Sequence, residues 1–203
     1  MKAGELFAAN YTWVMKKWAS VVLLAIITGC VPCWNALYTD SDLIFDPALV
    51  GSWGSSEDEK ENWTFSKEGE KKYKLKQTDG EGRRAEFDAR LVRLGNYKFL
   101  DLLLIGADER DTRLNGWAAF SLIPAHLVIQ VHELGPKLKI SAMNPDWVKE
   151  WVEKNPKSIE HRKISDDRYV IMASTKDLQK FVLAHAAEEG LFGGPHELDR
   201  RKE

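Results

Sequence analysis

Lys72-Tyr73-Lys74-Leu75-Lys76 and Arg84-Ala85-Glu86-Phe87-Asp88-Ala89-Arg90-Leu91 decide the fold. In both runs polar and apolar residues alternate without a miss. That puts Tyr73, Leu75, Ala85, Phe87, Ala89 and Leu91 on the dry side of a sheet and the charges on its wet side. Upstream, Glu61-Asn62-Trp63-Thr64-Phe65-Ser66 alternates in the same way. The links between these runs are short and rich in turn formers: Lys67-Glu68-Gly69-Glu70, Asp79-Gly80-Glu81-Gly82 and Gly95-Asn96. Such links join antiparallel strands as hairpins, because a parallel pair needs a crossover of about a dozen residues or more.

Further along, residues 99–105 form a nearly continuous apolar run broken by Asp101, which reads as a strand covered on both faces. A polar loop is predicted over 106–115, and strands over 117–122, 125–134 and 137–143. The period then becomes helical. Asn144-Pro145-Asp146 is a helix start, with a capping Asn, Pro in the first turn and an acid at the positive end of the dipole. Trp147, Val148, Trp151 and Val152 make its apolar stripe. A strand pair turning at Asp166-Asp167 is predicted over 160–173. Ser174-Thr175-Lys176-Asp177 opens a second helix, with Leu178, Phe181, Val182, His185 and Ala186 on one face. The fold class is therefore mainly β: an antiparallel meander forming a barrel or curved sheet, with two short helices toward the C-terminus. Closure into a barrel is how a long meander removes its edges.

Residues 15–33 run in the order of a bacterial secretory signal: Lys16-Lys17, a short apolar stretch, then small residues. The apolar stretch is shorter than the roughly 20 residues a transmembrane helix needs. Met15 reads as the natural start of such a signal. Its end, Ile27-Thr28-Gly29-Cys30, resembles the lipobox of bacterial lipoproteins. The resemblance implies cleavage between Gly29 and Cys30, a diacylglyceryl thioether on Cys30, acylation of the new amino group and a lipid bilayer as partner. It places the chain in the bacterial cell envelope, lipid-anchored and facing the periplasm. Val31, where an aspartate would favour inner-membrane retention, points to the outer membrane. The expected organisation is a signal peptide over 1–29, a lipidated tether over 30–46, a barrel-like domain with C-terminal helices over 47–190 and a polar tail over 191–203. Cys30-Val31-Pro32-Cys33 also has the C-x-x-C spacing of thioredoxin-like redox sites. Those should follow a strand and open a helix, whereas this one follows a signal. Cys33 is then expected as a lone thiol near the membrane, acylated or paired between molecules.

Leu49-Val50-Gly51-Ser52-Trp53 carries a second resemblance, to the G-x-W motif of the lipocalin and calycin superfamily. It implies a lipocalin-like barrel over about residues 49–142, with Trp53 plugging the closed end and an arginine stacked on it. That arginine has no clear counterpart in the sequence, and Arg162 is the candidate for it. The family's T-D-Y motif is absent, since Thr78-Asp79 is followed by Gly80.

Chemistry-bearing constellations are few. With 29 basic and 31 acidic residues the net charge is −2, against a nucleic-acid partner. The sequence has no G-x-S-x-G, no H-E-x-x-H and no phosphate-cradling glycine loop, so no catalytic site, metal or cofactor is expected. His126 and His132 share a strand face but stand about 20 Å apart along it, and are expected in solvent. His185 reads as a satisfied core histidine. Asp40-Ser41-Asp42 and Asp108-Glu109-Arg110-Asp111 lack the glycine and distal glutamate of a calcium loop and read as solvated. Lys71, Lys72, Lys74 and Lys76 form a basic stripe, either the wet face of a strand or a contact for anionic lipid.

The aromatics suggest more. Trp63, Phe65, Tyr73, Phe87, Tyr97 and Phe99 lie on successive strands and would either line a ligand cavity or fill the barrel. Two functions follow. One is an envelope lipoprotein whose lipocalin-like domain binds a small apolar or amphipathic ligand. The other is a structural or protein-interaction lipoprotein with a filled core. A cavity of a few hundred Å³ would favour the first.

Overall fold

The computed structural model describes residues 30–107, 124–188 and 190–202. The expected signal over 1–29 and the expected strand over 117–122 lie outside the described residues. The strands are β1 (Pro32–Cys33), β2 (Leu43–Ile44), β3 (Gly51–Gly54), β4 (Asn62–Lys67), β5 (Tyr73–Thr78), β6 (Arg84–Leu94), β7 (Tyr97–Ala107), β8 (His126–Leu134), β9 (Lys137–Ala142), β10 (His161–Ser165), β11 (Arg168–Ile171) and β12 (His196–Arg200). The helices are α1 (Pro145–Lys154) and α2 (Thr175–His185), and a 3-10 turn over Pro47–Leu49 precedes β3.

Strands β3 to β9 pair in sequence order, each antiparallel to the next, and β12 pairs with both β9 and β3. The result is a closed eight-stranded antiparallel barrel. The hairpins fall where the turn residues put them, between β4 and β5, β5 and β6, and β6 and β7. Along each strand the alternation resolves into an inside and an outside. Trp63, Phe65, Tyr73, Leu75, Leu91, Leu100, Leu102 and Ile129 belong to the core within the barrel. The wet lysines face the acids of the next strand: Lys72 pairs with Asp88 at 3.0 Å and Lys74 with Glu86 at 2.6 Å. The basic stripe is thus largely neutralised by its neighbour.

Two segments differ from their expected roles. Residues 191–203 are not simply a polar tail, because β12 within them closes the barrel. Only Leu198 of β12 is buried, while Glu197 pairs with Lys137 and Lys139 of β9. A five-residue strand with one inward apolar side chain gives almost no hydrophobic period. Residues 30–46 are not a tether either. β1 inserts between β8, which it meets antiparallel, and β11, which it meets parallel. Val31 is 2% exposed, and Cys33 and Leu37 are fully buried. Cys33 therefore stands away from solvent, and burial raises its thiol well above the ordinary range.

This strap joins α1, α2 and the β10–β11 hairpin in a second core against the outer face of β6–β8, where Val92, Phe99 and Val128 meet Val148, Leu178, Phe181 and Val182. The helix caps are as expected. Asn144 Oδ1 accepts from the Asp146 and Trp147 amides, and Ser174 Oγ accepts from the Asp177 amide. His185 is a core histidine, with Nδ1 2.8 Å from Glu188 Oε2 and its ring against Trp151 and Phe181. The expected double coverage of residues 99–105 holds as far as Leu102; Leu104 and Ile105 are exposed. Asp101, which breaks that run, is 1% exposed. Its Oδ2 accepts from the Leu37 amide at 2.7 Å, and its Oδ1 lies 2.6 Å from His126 Nδ1. His126 is accordingly covered by the strap rather than solvated, while His132 is exposed and lies 2.9 Å from Ser141 Oγ.

The G-x-W segment has a local physical cause. Trp53 is fully buried and its indole N–H donates to the Leu49 carbonyl at 3.0 Å. Arg200, from the closing strand, lies over the indole at 4.2 Å and donates to the carbonyls of Val50 and Ala48. Arg200, not Arg162, is the arginine on the tryptophan. Gly51 has φ +125°, and a Cβ there would come within 2.7 Å of the Arg200 guanidinium. The absent side chain is the space the arginine uses. Truncating Trp53 removes a fully packed ring and the platform for Arg200. Trp53→Ala is expected to cost about 3–5 kcal/mol in denaturant unfolding; a loss below about 1 kcal/mol would show that this end of the barrel is not a packed plug.

Candidate functional site

The barrel interior divides into two halves. In one, Trp53, Phe65, Tyr73, Leu75 and Leu91 fill the space, all at most 1% exposed. Residues 45–49 close that end. Phe45 stacks on Tyr73 at 5.0 Å, and the Tyr73 hydroxyl accepts from the Asp46 amide at 2.6 Å and donates to the Asp46 carbonyl at 3.1 Å.

The other half holds a cavity of about 320 Å³. Its wall is apolar: Trp63, Phe87, Leu102, Leu127, Ile129 and Ile140 point into it from β4, β6, β7, β8 and β9. Its rim is made by residues 142–146, where β9 passes into α1, by Gly193 and Gly194 ahead of β12, and by Cys30. The volume and the apolar lining match those of small-molecule pockets.

The polar groups on the lining are Gln77 and His196 at the wall and Asn144 and Asp146 at the rim. His196 Nε2 lies 3.0 Å from both carboxylate oxygens of Glu61, whose Oε1 also accepts from the Trp63 indole at 3.2 Å. The hydrogen bond to Glu61 holds the His196 pKa above its usual 6.5, with burial opposing the shift and the Glu57 charge adding to it. An apolar wall with polar and ionic groups at its margin suits a molecule with a hydrocarbon body and a polar end.

Cys30 also lies on the rim. The residue is partly exposed and packs against the second core, and burial pushes the thiol up to about 11, with backbone groups of Met143, Val31 and Val128 partly offsetting the rise. A thiol so held carries almost no thiolate at neutral pH, and neither cysteine forms a disulfide. Cys30 and Cys33 therefore do not present the exposed low-pKa thiolate that C-x-x-C redox chemistry uses.

The six aromatics named from sequence separate into three groups. Trp63 and Phe87 line the cavity. Phe65 and Tyr73 pack the filled half. Tyr97 and Phe99 lie outside the barrel in the second core, where Phe99 meets Phe192 at 5.7 Å. Strand parity is the reason: Leu100 and Leu102 take the inward positions of β7, so 97, 99 and 101 face outward. Glu61, His196 and Met143 were not anticipated, because each becomes part of the site only through closure by β12 or through the bend into α1. Among the described residues no group of three His, Cys, Asp or Glu side chains is placed to hold a metal ion, and no helix is long and apolar enough to cross a membrane.

No protein-family model matches the chain, and no curated protein or solved structure matches it either.

The Glu61–His196 pair makes a pH test. Because His196 titrates above 6.5 in the folded protein, its contribution to stability is fully present below about pH 6.5 and is lost as pH rises through the raised value. The His196 imidazole signals are expected to titrate with a midpoint above 6.5, and Glu61→Gln to move that midpoint down. A wild-type midpoint at or below 6.5, unmoved by Glu61→Gln, would show that the pair does not form in solution.

Proposed function

We propose that this chain is a bacterial envelope lipoprotein, anchored through acylated Cys30 and facing the periplasm from the outer membrane, whose barrel holds a small apolar or amphipathic ligand. The observation that carries the ligand part is the cavity. A barrel whose only task were to present its outer surface could be filled throughout, as this one is around Trp53, Phe65 and Tyr73. Here the other half is left open at about 320 Å³ and walled by aliphatic and aromatic side chains. Shielding hydrocarbon from water is the chemistry such a wall offers, at about 25 cal/mol per Å² of apolar surface buried. The Glu61–His196 cluster supplies the place for a polar end.

The anchor part rests on the lipobox register at residues 27–30. The buried, high-pKa thiol of folded Cys30 adds a constraint of timing. Transfer of a diacylglyceryl group needs an accessible sulfur, so it precedes docking of the strap on β8. The Trp53–Gly51–Arg200 arrangement supports the lipocalin-like reading of the barrel, since it supplies the stacked arginine which the G-x-W resemblance implies.

Both parts are open to measurement. Metabolic labelling with a palmitate analogue is expected to mark the wild type and not Cys30→Ser; equal label in both would remove the anchor. The unlipidated Cys30→Ser protein, isolated from the periplasm, is expected to bind the apolar fluorophore N-phenyl-1-naphthylamine at one site. Leu127→Trp, which places an indole in the cavity, should weaken that binding at least tenfold. No saturable binding, or equal binding by the Leu127→Trp protein, would contradict the ligand part.

A further inference from the structure

We propose that an acyl chain carried by Cys30 lies in the barrel's own cavity, so that the protein's first ligand is its own lipid. This rests on the lipidation of Cys30 and on the reading of the cavity as a site for hydrocarbon, and goes beyond both by naming the occupant.

The geometry leaves the lipid little choice of starting point. Cys30 is itself a lining residue of the cavity, beside Met143 and Pro145 on the rim. The residues after it provide no slack. Val31 is 2% exposed and Cys33 fully buried, and Pro32 and Cys33 pair with Leu127 and His126 of β8. The Asp101 carboxylate takes the Leu37 amide, and the Gln179 side-chain amide donates to the Leu37 carbonyl at 2.8 Å. A lipid on a free tether would reach the bilayer wherever the domain stood. A lipid on this sulfur leaves from the rim itself, where Cys30 meets both the cavity and the second core. On its other side Cys30 borders a more polar groove shared with Pro32, Asp146 and Tyr169, which suits the glyceryl esters rather than hydrocarbon.

The physical chemistry favours occupation. A methylene gains about as much by leaving water for an apolar cavity as by leaving it for a bilayer. A group attached at the rim meets the cavity at an effective concentration on the order of millimolar, so even a weak site fills. A triacylated cysteine still has two chains for the membrane, and two are enough for stable anchoring. The consequence is orientation: the cavity mouth and the bilayer are held together by one residue. Any free ligand must displace the resident chain.

The test uses the full-length protein made in its envelope. Cells are fed a palmitate bearing a mid-chain diazirine and a terminal alkyne, irradiated, and the captured protein is mapped by peptide mass spectrometry. The expected result is a cross-link within one chain, from the lipid on Cys30 to Leu127, Ile129 or Ile140. Leu127→Trp should keep the label on Cys30 while cross-links at Ile129 and Ile140 fall at least tenfold. A labelled wild type whose cross-links go only to phospholipid or to the exterior overturns the proposal and leaves the anchor intact. The same cavity cross-links persisting in Cys30→Ser also overturn it, by showing a free fatty acid as the occupant. A wild type that takes up no label overturns the lipidation and this proposal together.

Discussion

The buried carboxylate of Asp101 is the constraint on which the rest of the structure turns. A carboxylate removed from water is strongly unfavourable unless its oxygens are hydrogen-bonded. Asp101 finds its partners in the amide of Leu37 and the ring of His126. The first of these lies 64 positions away along the chain. Satisfying it draws residues 31–44 across the outer face of β7 and β8, where Leu37 and Cys33 complete a second core. It also fixes the start of the strap, and with it Cys30, beside the cavity. One polar group in an apolar strand thereby couples the fold to the geometry of the mouth.

Much of the barrel was legible because antiparallel strands with one wet face write their period directly into the sequence. The runs at 61–66, 72–76 and 84–91 became β4, β5 and β6, and the turn residues between them became turns. Both helices followed from their caps and stripes. The failures share a cause. A period of two says which residues are on the same side of a strand, not which side is the interior. The outer face of β6–β8 is covered by a second layer, so Tyr97 and Phe99 looked like cavity residues and are not. β12 carries its energy in backbone pairing and in ion pairs with Lys137 and Lys139, so its composition reads as a tail. Arg200 could be found only once β12 stood beside β3. The strap looked like a tether because its apolar residues Val31, Cys33, Leu37 and Leu43 follow no single period: they are buried by a path, not by an element.

The filled and open halves of the interior show how one sheet serves stability and binding at once. Around Trp53 the barrel is packed, with the indole held between Leu49 and Arg200 and Gly51 leaving room for the guanidinium. Toward the bend into α1 the side chains withdraw and leave the cavity. Placing the packed half at the G-x-W end lets the open half lie next to Cys30 without weakening closure. The Glu61–His196 pair and Asp146 place polar groups on the lining, while the wall between the strands stays apolar.

Everything said of the mouth depends on the strap being part of the folded body. Amide hydrogen exchange of the purified protein reads this directly. If Asp101 holds the strap, the Leu37 amide and those of residues 33–35 exchange as slowly as the β7 and β8 amides beside them, and Asp101→Ala releases them while β4 and β5 stay protected. Strap amides that exchange at the rate of an unstructured chain in the wild type would mean that residues 30–46 are a tether after all, and that Cys30 has no fixed place at the cavity.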